Sequence, residues 1–167
     1  MVFYFAHCNG EAFYVKKIYS ILLVLFLLSA CGQEETYEPQ AVNPEVDVCE
    51  VCNMSLSDNF YATQIISKEN VSYKFDDIGC MIEYVEKDQS IAKEDIAKQY
   101  VRDMLTSDWI EIESAYFVYH TDFWTPMSNG VISFAAKEDA EKYIAEQGKG
   151  EVYDYSQLQE HEWSWKL

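Results

Sequence analysis

Basic residues are scarce in this chain: 12 lysines and arginines stand against 29 aspartates and glutamates in 167 residues, a formal net charge of -17. Nucleic acid and anionic lipid headgroups repel a surface of that sign, which argues against both as electrostatic partners. Glycine, at 6 residues, gives no phosphate-cradling loop, and neither a Gly-x-Ser-x-Gly nor a His-Glu-x-x-His pattern occurs. The apolar run over residues 21–28 is too short to cross a bilayer, which takes about 20 residues. There is no second Cys-x-x-Cys and no histidine pair, so a closed four-ligand zinc site lacks its usual residues. Iron–sulfur ligation meets the same shortage.

What is present begins with a secretion signal. Lys16 and Lys17 precede the apolar run, and Leu28-Ser29-Ala30-Cys31 closes it. Charge, apolar core and small residues follow in the order of a signal peptide. A cysteine at the cleavage point makes this a lipobox of the bacterial kind, in which the Cys31 thiol is lipidated and begins the mature chain. Residues 1–30 are then an N-terminal extension and signal peptide, with translation expected from Val15, so His7 and Cys8 take no part in the mature protein. Residues 31–47 are polar and acidic and carry Pro39 and Pro44, the composition of a flexible, lipidated tether. The expected location is extracytoplasmic, with the protein lipid-anchored to the bacterial membrane.

Residues 48–167 have the texture of a folded body, and that body repeats itself. Val71-Ser72-Tyr73-Lys74-Phe75 precedes a segment with Ile78, Met81, Ile82 and Val85 at helical spacing. Val131-Ile132-Ser133-Phe134 precedes another, with Ala136, Ala140, Tyr143 and Ile144. Aligning Phe75 with Phe134 places Tyr84 on Tyr143 without a gap. Residues 61–66 and 115–119 read as strands upstream, and 101–104 resembles 152–155 downstream. Asp76 and Asp77 can cap the first helix, and Gly148 can end the second. The expected fold is α+β: two tandem ββαβ halves, roughly residues 48–106 and 107–167, packed together because neither is large enough to be stable alone.

Once Cys8 and Cys31 are set aside, three cysteines remain, an odd number that fits no simple disulfide framework. Cys49 and Cys52 form a Cys-x-x-Cys pair that can turn both sulfurs to one ion, and Met54 adds a thioether within reach. Soft donors in short supply suit Cu(I), which accepts two or three of them. A thioether has no proton to lose and coordinates weakly, which suits delivery better than storage. Met127 lies in Thr125-Pro126-Met127-Ser128-Asn129-Gly130, a loop between two strands, where packing against aromatics is the competing reading. Cys80, at a helix start, and His120, beside the Met127 loop, are additional metal-ligand candidates. Burial of Cys80 in the core and an ordinary surface role for His120 are the alternatives.

These residues together resemble the NosL family, lipoproteins associated with nitrous oxide reductase maturation. The matching features are the lipobox at Cys31, Cys49-x-x-Cys52-x-Met54, Phe75-Asp76-Asp77 before a helix, Asp108-Trp109, Ala115-Tyr116-Phe117-Val118, Pro126-Met127-x-x-Gly130 and Phe134. The resemblance implies two tandem ββαβ halves, similar to a domain of organomercurial lyase. It also implies a membrane-anchored copper chaperone, not an enzyme, that binds Cu(I) for a copper-receiving enzyme or its assembly machinery. It strengthens Met127 as a ligand beside Cys49, Cys52 and Met54. The rival readings are a thiol–disulfide oxidoreductase using Cys49 and Cys52, and a surface lipoprotein that binds no metal.

Overall fold

Two antiparallel sheets carry the repeat, each with the first strand of its half at the centre. The computed structural model describes residues 36–57 and 60–166; the signal peptide, the start at Val15 and the lipidation site Cys31 lie outside the described residues. In the first sheet β1 (Thr63–Ser67) lies between β2 (Ser72–Phe75) and β3 (Ile96–Arg102), with β4 (Trp109–Glu111) beyond β3. In the second, β5 (Tyr116–Tyr119) lies between β6 (Val131–Phe134) and β7 (Glu151–Tyr153). Helix α1 (Ile78–Glu86) follows β2, α2 (Lys137–Gln147) follows β6, and a short α3 (Tyr155–Gln159) follows β7. The order strand–strand–helix–strand, with pairing second–first–third, therefore occurs twice, as the α+β repeat predicts. One strand crosses the expected division: β4 belongs by sequence to the start of the second half, yet it pairs with β3, from Tyr100 opposite Glu111 to Arg102 opposite Trp109.

Alternation along the strands sorts the core. Ile65, Phe75 and Val101 share one face of the first sheet and pack with Ile78, Met81 and Val85 of α1. Phe117 and Val131 turn from the second sheet toward that same core, and Leu158 and Trp163 join it. Their strand neighbours Val118, Ile132 and Phe134 face the other way, onto Ala140 of α2. The second sheet is thus buried on both faces, one against its own helix and one against the first half.

The other face of the first sheet is covered by the segment expected to be a free tether. From Tyr37 onward that segment is docked. Gln64, fully buried in the central strand, accepts from Gln40 N–H at 2.9 Å and donates to Gln40 O at 2.5 Å. Tyr100 OH donates to Tyr37 O at 2.9 Å, and Lys74 Nζ reaches both Ala41 O at 3.0 Å and Asp47 Oδ2 at 2.6 Å. A polar composition disfavours a core, but it supplies backbone partners for polar side chains buried in a sheet, which explains the difference.

The halves are also joined by hydrogen bonds. Ser133 Oγ donates to Arg102 O at 2.6 Å, and Met104 N–H to Ser133 O at 2.9 Å. More important for the site, Asp77 caps α1 by accepting from Cys80 N–H at 3.0 Å. The same carboxylate accepts from Thr125 Oγ1 at 3.2 Å, Met127 N–H at 3.1 Å and Asn129 Nδ2 at 3.1 Å. Thr125 Oγ1 in turn accepts from Asn129 N–H at 2.9 Å and Gly130 N–H at 3.3 Å. The 125–130 loop is therefore folded around Thr125 and fixed to the start of α1. Gly79 leaves room for this approach, because a Cβ there would collide with the Asn129 amide that is held on Asp77. Replacing a glycine in an open helix by alanine gains about 1 kcal/mol. Gly79→Ala should instead destabilise the protein by roughly 1–3 kcal/mol, the usual range for overpacking, as read from urea midpoints. In an Asn129→Ala background the penalty should disappear, and an equal loss in both backgrounds would clear Asn129 as the obstacle.

Candidate metal centre

Cys49 and Cys52 lie on a turn that closes on itself. Val48 and Ser55 form an antiparallel bridge, Cys49 N–H donates to Met54 O at 2.9 Å, and Asn53 N–H donates to Cys49 O at 3.0 Å. Asn53 supplies the left-handed backbone at φ 58°, a region asparagine enters more readily than most residues. Glu50 N–H donates to Lys74 O at 3.1 Å, which seats the turn against the end of β2. Asp76 stands two residues beyond that contact.

Asp76 and Asp77 were both expected as helix caps, and only Asp77 serves as one. Adjacent side chains at this strand–helix junction diverge: Asp77 meets the helix start and the 125–130 loop, while Asp76 turns to the thiols. Asp76 is 3% exposed; its Oδ2 accepts from Cys52 Sγ at 3.1 Å, and its Oδ1 is buried with no hydrogen-bond partner. Cys80, one turn into α1, completes the group. The sulfurs of Cys49, Cys52 and Cys80 and a carboxylate oxygen of Asp76 all lie within 4.8 Å of one another. All three cysteines are free thiols. Cys49 and Cys80 are buried and Cys52 is half-buried, so the group meets solvent at Cys52.

The other candidates from the sequence lie around this group or away from it. Met54 is 43% exposed and Met127 39% exposed; the first closes the cysteine turn through its carbonyl, and the second is held by its N–H on Asp77. His120 is outside the thiol group: its Nδ1 accepts from Asp122 N–H at 3.1 Å, and its ring lies against Phe123 at 5.5 Å. Cys80 is at once core packing and a member of the group. Asp76 was missed as a site residue. The available signal was the Asp-Asp pair itself, since a helix start uses one such cap and leaves the second acid to be accounted for.

The three thiols are electrostatically unequal. Cys49 is lowered from 9.0 to about 7, first by the hydrogen bond from Cys80, with backbone N–H groups of Cys52, Asp76 and Val51 helping against the effect of burial. Cys52 is raised to about 12 by burial foremost, then by its bonds to Asp76 and Cys49. Cys80 is driven far above the usual thiol range by its bond to Cys49, by burial, and by the negative charge of Asp77, Cys49 and Asp76. Near neutrality Cys49 is at its titration midpoint while Cys52 and Cys80 keep their protons. A cation entering it would replace the protons of Cys52 and Cys80 and relieve the repulsion that keeps them there. Three sulfurs suit a soft ion, and the single carboxylate oxygen is the hard exception.

A family model described as NosL matches residues 40–163 of the chain. In fold the chain is similar to the crystal structure of the copper chaperone NosL from Shewanella denitrificans, with 20% identity and a TM-score of 0.63 over 73% of this chain and 96% of that one. No curated protein matches the chain.

Ultraviolet thiolate absorbance of the reduced, metal-free protein tests the thiol hierarchy. One thiol should ionise with a midpoint of about 7, and the other two only well above 9. Cys80→Ala removes the hydrogen bond that lowers Cys49, so the first midpoint should rise toward 9.0, the value from which Cys49 is shifted. A single step near 9 for all three thiols would contradict the hierarchy.

Proposed function

The chain belongs to the NosL family, and on that premise we propose that it carries monovalent copper outside the cytoplasm. Cys49 and Cys52 take the ion as thiolates together with Cys80, and the thioethers of Met54 and Met127 exchange with them as the ion enters and leaves. Lipidation at Cys31 holds the protein to the membrane. The recipient is a copper enzyme or its assembly machinery, and the family points to nitrous oxide reductase. The protein acts as a carrier and forms no covalent intermediate.

The observation that carries this reading is the convergence of three free thiols beside one buried carboxylate. Copper is cargo here, so the site must release it as well as bind it. Protons supply the means. Cys52 and Cys80 hold their protons strongly, and those protons compete with copper for the same sulfurs. Cys49, partly ionised near neutrality, provides the first anchor. Cys52, the outermost thiol, is the first to be reprotonated when a receiving ligand draws the ion away. Exposed thioethers beside the exit keep the ion in soft coordination at any pH, because they carry no proton.

The disulfide-exchange rival also needs two close thiols. An exchange pair needs only two thiols, one of them activated as Cys49 is, whereas here a third thiol and a carboxylate converge on the same point. The site geometry therefore favours the metal.

Titration of the reduced chain with Cu(I) against a competing chelator tests the assignment. Cys49→Ser/Cys52→Ser should weaken binding by at least about 100-fold, or roughly 2.7 kcal/mol. Asp76→Asn should change affinity by less than about 10-fold, because an oxygen donor adds little to a soft ion. Wild-type affinity in the double cysteine variant would defeat the proposal. The pH dependence has a definite sign. Cys52 and Cys80 are protonated near neutrality, so binding expels their protons and affinity should rise with pH, with a slope that approaches roughly two log units per pH unit above the Cys49 midpoint and roughly three below it. A flat profile between pH 6 and 8, about one unit either side of the Cys49 midpoint, would show that these thiols are not ligands.

A further inference from the structure

Charged residues make up 25% of the chain, yet the two loops flanking the thiols contain none. Residues 51–57 read VCNMSLS and residues 123–130 read FWTPMSNG. On these loops the protein exposes large apolar side chains, and Phe60 follows the first in sequence. Trp124 is 63% exposed, Phe60 45%, Met54 43% and Met127 39%. Leu105 and Val71, on other loops, are also exposed, at 57% and 45%, but are smaller, and the other described rings, Trp163 among them, are buried or half-buried. One of the two uncharged loops carries Cys52 itself and the other is bonded to Asp77, the neighbour of Asp76, and large exposed apolar groups on loops tied to a functional site mark an interaction surface more often than scattered exposure does.

The face is built to keep its shape. Trp124 lies edge-on against Tyr61, ring centroids 5.3 Å apart. The next residue, Thr125, is fully buried and bonded to Asp77, and Met127 is held to the same carboxylate through its backbone. An exposed tryptophan on a fixed loop loses little freedom when a partner covers it, which is the usual character of an interface anchor. The surroundings have the opposite character. The whole chain carries net charge -17, most of it from residues after 47, and exposed Glu50 and Asp122 border the two neutral loops, Asp122 being paired with Lys149 at 3.2 Å.

An apolar opening within an acidic body selects its occupant by charge. A second copy of the chain brings the same negative charge, and an anionic membrane is repelled likewise. We infer that this face docks a metal-exchanging protein whose own surface places methionine or histidine ligands in an apolar patch ringed by lysine or arginine. The inference rests on the copper-carrier reading and deepens it, by adding how the partner is recognised. Basic residues on the partner steer the encounter, Trp124 anchors it, and the thiol group opens at Cys52 beside the contact, where soft ligands on the partner can meet the ion.

The test uses the full-length chain and two synthetic peptides, each with a Met- and His-bearing apolar centre, one flanked by lysines and the other by glutamates. The lysine-flanked peptide should bind the metal-free protein with a change in tryptophan fluorescence, and binding should weaken as salt rises. Trp124→Ala should weaken that binding by at least about 10-fold and slow Cu(I) transfer to the peptide by a similar factor. The same variant should leave Cu(I) affinity and transfer to a small chelator unchanged. Equal binding of the two peptides, or no effect of Trp124→Ala, would overturn the inference. So would a blue shift of Trp124 on zwitterionic phosphatidylcholine vesicles, which would make the face a membrane contact, or dimerisation abolished by Trp124→Ala. A wild-type chain that fails to bind Cu(I) would sink the carrier reading alone, because peptide docking is read on metal-free protein.

Discussion

The buried carboxylate of Asp77 accepts from the start of α1 on one side and from the 125–130 loop on the other. Burial raises its pKa, because a negative charge in a low-dielectric interior is unfavourable. Donors from both halves of the molecule offset that penalty. Removing either set would leave a buried group short of partners, at about 1–3 kcal/mol for each unsatisfied group. Cys80 and Met127, 47 residues apart in the chain, are thereby positioned by one side chain. The thiol group and the apolar rim consequently depend on the packing of the two halves against each other.

Asp76, the neighbouring acid, lies inside the thiol group. It stands among three thiols with one oxygen engaged by Cys52 and the other without a partner. Burial raises Cys52 first of all, and the hydrogen bond to Cys49 raises Cys80, with neighbouring negative charge adding to both. The metal-free group is therefore poised between a proton-bearing state and one that a soft cation would stabilise. Competition between protons and metal for the same sulfurs gives reversible binding without any moving part.

The tandem repeat shows how one architecture came to hold a site in only one of its halves. In the alignment of Phe75 with Phe134, Asp77 corresponds to Ala136 and Cys80 to Asp139. Helix α2 accordingly begins without a side-chain cap and carries acids in its first turn, which suits the helix dipole. The connections between the first two strands differ in the same way. In the first half β1 turns directly into β2 within residues 68–71, whereas β5 and β6 are separated by residues 120–130. The longer loop crosses to the other half and binds Asp77 at the start of α1, three residues before Cys80. The second half has become a support for the site in the first.

Much of the fold was legible in the chain itself. Helical spacing of Ile78, Met81, Ile82 and Val85, the β-branched and aromatic runs, Gly148 as a helix stop and the near-gapless repeat are all local signals, and local signals determine which elements form. The Cys-x-x-Cys pair was legible for the same reason: its two sulfurs converge through a turn of a few residues. The sequence left open which other groups would meet that pair. Asp76 and Cys80 reach it across 24 to 31 positions in the chain, the polar segment from Tyr37 folds back onto Gln64 and Lys74, and β4 joins the earlier sheet. Those outcomes are set by burial and hydrogen-bond satisfaction among residues distant in sequence, which no periodicity records. The chain by itself determined its elements and its most reactive pair; only tertiary packing decided what that pair would face.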